Sequence, residues 1–216
     1  MKLGAPDIGL TTLCEVADTV SCIADSTNLP LIVVADTGFG NNANVRGTIK
    51  MLERSGASGI QLEDQVFPKR CGHFDKKAIV SKTDMIDKIK TAVDSRTDQN
   101  TQIIARTDAI AIVSLDEAID RANAYIEAGA DATFVEAPTS KNELEQIPKR
   151  IASAPQIANI VFGGNTPELG QQELKRMEFA IILYANAALQ SAIKAVEETL
   201  KSLSLTGSLE ARKAFL

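Results

Sequence analysis

The sequence has no tryptophan, one histidine and three cysteines. The lack of tryptophan and the small aromatic share exclude nothing by themselves. The cysteines are odd in number and irregularly spaced, which excludes a disulfide framework and points to a reduced, cytoplasmic protein. No run of 18 apolar residues occurs, so no membrane-spanning helix is expected. The opening Met1-Lys2-Leu3-Gly4-Ala5-Pro6 lacks the apolar core of a secretory leader. Net charge is −5 without a basic patch, which argues against nucleic acid as a partner. What remains is an ordinary globular composition. The 216 residues, 44% of them hydrophobic, suffice for a sizeable core, and no linker or low-complexity stretch divides them. A single domain over 1–216 is expected.

Six short apolar runs rich in Ile and Val recur at 31–36, 59–63, 102–107, 132–136, 156–161 and 180–184. Their length and composition predict buried strands. Amphipathic stretches lie between them. Ser81, Ser114 and Ser140 each stand three residues before an acid (Asp84, Glu117, Glu143), as helix N-caps do. Residues 11–25 read as a further helix that places Cys14 and Cys22 in the core. Segments 55–63 and 128–136 echo each other, with Gly56 and Gly129 ending a helix and Glu63 and Glu136 ending a strand. This alternation predicts a parallel α/β fold. An open doubly wound sheet and a (β/α)8 barrel both remain in play. Polar groups at the strand C-termini (Asp36, Glu63, Arg106, Glu136, Asn159) favour the barrel, whose enzymes gather their chemistry on that face.

The most distinctive segment is Lys69-Arg70-Cys71-Gly72-His73, which follows Leu62-Glu63-Asp64-Gln65. Two cations beside a thiol lower its pKa and make it a usable proton donor or nucleophile. Gly72 allows close approach to a ligand. A solvated basic turn with an incidental cysteine is the competing reading.

With Gly4-Ala5-Pro6-Asp7, Ala35-Asp36-Thr37-Gly38-Phe39-Gly40, Ile104-Ala105-Arg106-Thr107-Asp108 and Phe134-Val135-Glu136-Ala137, this segment resembles the isocitrate lyase/phosphoenolpyruvate mutase superfamily. The loop places the chain on the 2-methylisocitrate lyase-like branch, since the phosphonate-forming mutases lack the cysteine. The resemblance implies a TIM (β/α)8 barrel that lacks its first two strands here, so that the six runs would be the third to eighth. It also implies a homo-oligomer, a tetramer in most relatives. Asp7, Asp36 and Glu63 match the acids that hold Mg2+. Arg106, Glu136, Asn159 and Gly72 match substrate contacts. Cys71 would protonate the carbanion left by cleavage, supported by Lys69, Arg70 and His73. The competing readings are bland: Asp7 as a turn residue, Glu63 and Asp64 as a solvated strand end, Arg106 in an ion pair with Asp108, and Asn159 as a buried capping amide.

Four residues depart from the family pattern. Val34 stands where a metal-binding aspartate is usual, so Mg2+ binding should weaken. Phe162, Ala185 and Gln190 replace a Glu-containing element, a proline and a carboxylate-binding arginine, and a smaller diacid would lose least from these changes. The implied activity is Mg2+-dependent retro-aldol cleavage of a small 2-hydroxy di- or tricarboxylate, releasing pyruvate or glyoxylate. Alternatives are hydrolysis or decarboxylation of oxaloacetate, a carboxyvinyl-carboxyphosphonate phosphorylmutase-like reaction, and a catalytically silent homologue.

Overall fold

The computed structural model describes residues 4, 7–69, 77–151, 153–208 and 210. Helix α1 (Leu13–Ala24) precedes an alternation of β1 (Ile32–Val34), α2 (Asn42–Arg54), β2 (Gly59–Glu63), α3 (Lys82–Ser95), β3 (Gln102–Thr107), α4 (Leu115–Glu127), β4 (Ala132–Val135), α5 (Lys141–Arg150), β5 (Gln156–Val161), α6 (Gln171–Arg176), β6 (Ile181–Ala185) and α7 (Ala187–Thr206). All six strands are parallel and pair in chain order. Each sequence-predicted strand is present, and the barrel reading prevails over the doubly wound one. A flat sheet would hold β1 and β6 about 24 Å apart at ordinary strand spacing. Yet Val34 of β1 and Leu183 and Ala185 of β6 line one cavity. The sheet therefore curls as a segment of a (β/α) barrel.

The predicted serine caps form. Ser81, Ser114 and Ser140 each accept from the N–H of the acid three residues on. Gly56 and Gly129 close α2 and α4 with φ of 102° and 104°, conformations that favour glycine. A Cβ on Gly129 would stand 3.2 Å from Val93. Alternation along the strands then sorts the side chains. Val33, Ala35, Ile60, Leu62, Ile103 and Ala105 face outward and pack with α1, α2 and α3. Val135, Ala158 and Ile160 pack with α4, α5 and α6. Inside the curl, Ile104, Ala132, Phe134 and Ile157 form a small apolar floor.

Two expectations need correction. Cys14 and Cys22 are exposed, not core residues, because α1 turns only Ala17 and Val20 fully inward. The first strand is shorter than residues 31–36, because Asp36 takes φ of 46° and turns the chain.

Candidate active site

Backbone bonds continue past the formal strand ends and fix the chemistry-bearing residues beside one another. The Glu63 N–H donates to the Asp36 carbonyl at 2.9 Å, Asp64 to Arg106 at 3.2 Å, and Glu136 to Thr107 at 3.0 Å. The left-handed turn at Asp36 and the parallel register thus bring acids and one arginine from four successive units to one rim.

That rim encloses a cavity of about 330 Å3, lined among others by Asp7, Asp36, Lys69, Arg106, Glu136 and Asn159. All six are sequence-predicted site residues. Glu63 adjoins this group, with Oε2 3.7 Å from Arg106 Nε. Arg70, Cys71, Gly72 and His73 lie outside the described residues.

Arg106 is both paired and open to the cavity. Its Nε and Nη2 donate to the two oxygens of Asp108 at 3.0 and 3.1 Å, the pairing that competed with a substrate role. Nη1 stands 3.5 Å from Glu136, and the guanidinium carbon lies 5.2 Å from the Phe134 ring centroid. A fork held on one side by carboxylate and on one face by a ring keeps its remaining edge oriented. Burial opposes the Arg106 charge, but Glu136, Asp108 and Glu63 outweigh it and hold its pKa well above the ordinary value. Burial would also raise Asp108, yet Arg106 and then Lys77 outweigh it and hold that carboxyl low.

Lys69 places its ammonium 2.6 Å from Asp7 and 3.1 Å from Asp36. Burial depresses its pKa, and Asp36, Glu63 and Asp7 together more than reverse this. Asp36 is raised, mainly by burial, against the pull of Lys69. Glu63 is pushed up to about 7 by burial, with Asp108 and Asp36 adding to it against Arg106 and Lys69. A carboxyl that titrates near neutrality in a cleft is a common property of functional acids.

Glu63 and Asp64 are not a solvated strand end: both are buried. Asp64 points away from the cavity and accepts from Thr107, Tyr125, Arg121 and the Asp108 N–H. It is a structural anchor that fixes the end of β3. Asn159 lies 3.4 Å from both oxygens of Glu136 through Nδ2. Its Oδ1 and Glu63 Oε1 are buried without a hydrogen-bond partner among the described residues. Such orphaned oxygens are costly unless something else satisfies them.

Among the described residues, no three carboxylates, thiols or imidazoles converge as a ready cage for a metal. Asp7 and Asp36 converge on Lys69 instead. The donors present still fit Mg2+, which favours one or two carboxylates and keeps several waters. Asp36 and Glu63 meet that demand, and the orphaned Glu63 oxygen is an acceptor with capacity to spare. Val34 lines the cavity and offers no donor.

Sequence reasoning missed Gln61 and Phe134, which also line the cavity. The signal was available: each stands two residues before a strand-end glutamate and so shares its face. Of the four departures, Val34 and Ala185 line this cavity. Phe162 and Gln190 line a separate one of about 440 Å3 with Tyr184 and Ile160, which alternate to the opposite face of β5 and β6 from Asn159 and Leu183. The expectation that Val34, Phe162 and Gln190 replace charged groups near the site therefore holds in position for Val34 alone, and Ala185, not expected to matter there, lines the cavity.

The profile of the family described as phosphoenolpyruvate phosphomutase matches residues 1–204. A 2,3-dimethylmalate lyase from Eubacterium barkeri is 44% identical over 90% of the chain and 67% of its own length. A 2-methylisocitrate lyase from Vibrio cholerae is 43% identical over 96% of the chain and 69% of its own. Among solved structures, an oxaloacetate acetylhydrolase bound to 3,3-difluorooxalacetate superposes with a TM-score of 0.93 at 34% identity, covering 97% of the chain and 72% of that protein. A phosphonopyruvate hydrolase complex with oxalate and Mg++ gives 0.87 at 30% identity, covering 100% of the chain and 75% of that protein.

Proposed function

Because the chain belongs to the phosphoenolpyruvate mutase/isocitrate lyase superfamily, we propose that it is a Mg2+-dependent lyase that cleaves a C–C bond in a small 2-hydroxy diacid. The observation that carries this reading is the convergence of Asp36, Lys69, Arg106, Glu136 and Asn159 on one cavity of about 330 Å3 at the strand C-termini. A space of that size suits a small diacid. Lyase names among the relatives at 43–44% identity support the reaction class.

In this proposal Arg106 binds one substrate carboxylate through its cavity-facing edge, giving geometry as well as charge. The Asn159 amide donates to a second oxygen and is held by Glu136. Asp36 and Glu63 hold Mg2+, with Asp7 beside them. When bound, the ion supplies charge stabilisation for the oxygens that become negative as the bond breaks. Lys69, buried and ion-paired with Asp36, competes with any cation there. In the retro-aldol step the 2-hydroxyl gives its proton to solvent as its C–O bond becomes C=O, the electrons of the breaking C–C bond pass to the departing carbon, and Cys71, assisted by Arg70 and His73, supplies a proton there. Gly72 lets that loop approach the substrate closely.

The test is turnover of 2,3-dimethylmalate by wild type and Cys71→Ser. The proposal expects cleavage by wild type and loss of most of it in the variant. Unchanged turnover in Cys71→Ser would exclude this proton donor. Hydrolysis of oxaloacetate is the second reading, favoured by the 0.93 superposition on an oxaloacetate acetylhydrolase. Oxalate and acetate as products would select it.

The same reading includes a homo-oligomer in the cytoplasm. No helix among the described residues is long and apolar enough to cross a membrane. Helix α7 has no buried residue, and Ile193, Val196, Leu200 and Leu203 form an exposed stripe at helical spacing, which supports self-association.

A further inference from the structure

The Lys77 side chain is only 3% exposed, and its ammonium lies 3.0 Å from Asp108 Oδ1. Burying a lysine is costly unless a charge answers it. Asp108, a fully buried carboxylate that answers this charge, also grips Arg106 through Nε and Nη2. Asp108 is in turn fixed from behind, since its N–H donates to Asp64 Oδ1 at 3.0 Å and the neighbouring Thr107 hydroxyl donates to Asp64 Oδ2 at 2.7 Å. The chain Lys77–Asp108–Arg106 is therefore a buried relay that ends on the edge of the guanidinium facing the cavity.

Such an arrangement has an electrostatic consequence. A carboxylate with two bonds to a guanidinium fixes its plane but also cancels much of its charge toward a third partner. A second cation on the same carboxylate draws part of that field away, so that the guanidinium keeps its attraction for an incoming anion. We propose that Lys77 is a positioning residue for substrate binding: through Asp108 it sets the orientation and the effective charge of Arg106 toward a substrate carboxylate. This rests on the reading of Arg106 as the carboxylate clamp. It assigns to Lys77 and Asp108 a role that spacing alone did not reveal.

The relay predicts that the effect of Lys77 on binding is largest while Asp108 is charged. The experiment is a double-mutant cycle on oxalate binding, measured by calorimetry with Mg2+ present throughout, using wild type, K77M, D108N and K77M/D108N. With Asp108 in place, K77M should weaken oxalate by about tenfold, the scale of one hydrogen bond to a charged group. In the D108N background the same change should cost less than about twofold. K77R should bind within about threefold of wild type, since it restores the charge. K77Q carries the same comparison if K77M melts below the assay temperature. Equal losses in both backgrounds would mean that Lys77 acts directly or only on folding, and would overturn the proposal. So would a neutral variant that binds like wild type, or wild type that does not bind oxalate at all. Product formation is read separately: a wild type that binds oxalate through this relay but cleaves nothing defeats the lyase reading and leaves the relay standing.

Discussion

Glu63 is the residue on which burial and charge compete most openly. Its carboxyl is held at about 7 in the folded chain against 4.5 when solvated. The folded state therefore binds the proton more tightly between those values. The contribution of Glu63 to stability should fall as pH rises from 4.5 to 7, and below 4.5 it no longer changes, because the carboxyl is protonated in both states. Glu63→Gln removes this titration. Without metal, the stability of wild type relative to the variant should drop by on the order of 3 kcal/mol across that window. Denaturant midpoints at several pH values check it, and parallel curves for the two proteins would contradict it. Val34 is the complementary case: it lines the cavity as a hydrocarbon at a position where the family resemblance implies an acid. Val34→Asp should raise Mg2+ affinity by about tenfold or more, read by calorimetry. The strand-end residues Asp36, Glu63, Arg106, Glu136 and Asn159 were legible in the sequence because each closes an apolar run. Gln61 and Phe134 were not noticed, since inside a run buried on both faces nothing but period-two counting separates a cavity side chain from a core one. Asp108 was visible only as a rival partner for Arg106, and the structure shows that it holds the guanidinium on one side and leaves an edge free.

The placement of these residues is decided by the elements around them. Helices α2 and α4 each close at a glycine, Gly56 and Gly129, and the next strand begins three residues on, so a shift at either end would move the strand that carries Glu63 or Glu136. Gly129 is the sharpest instance. With φ of 104° and Val93 3.2 Å from where its Cβ would stand, Gly129→Ala should destabilise by roughly 1–2 kcal/mol. Gly47 lies exposed inside α2, with nothing within 4 Å of its Cβ position. There the same change should stabilise by about 0.5–1 kcal/mol. Thermal melts of the two variants should move in opposite directions. The echo of 55–63 and 128–136 made these helix ends readable from sequence. The short first strand was not, because the turn at Asp36 comes from a positive φ that an aspartate tolerates and no composition rule requires.

At the scale of the molecule, parallel pairing in chain order and a continuous curl put the strand C-termini on one side, where the cavity forms. The six-unit pattern was legible because it repeats. The outer apolar surface was not. The face of α1 was misjudged at Cys14 and Cys22, and the bare stripe on α7 is defined by what fails to cover it. If that stripe mediates self-association, Leu200→Glu should lower the sedimentation mass of the wild-type protein. A wild type that is monomeric at every concentration would remove the oligomer from the account. The central claim is that the rim of Asp36, Glu63, Arg106 and Asn159 supports metal-dependent C–C cleavage despite Val34. The most direct test is product formation from a branched 2-hydroxy diacid, followed by NMR with Mg2+ and with EDTA. Cleavage that appears with Mg2+ and stops with EDTA is the predicted result; a folded protein that binds the diacid and returns it intact under both conditions would contradict it.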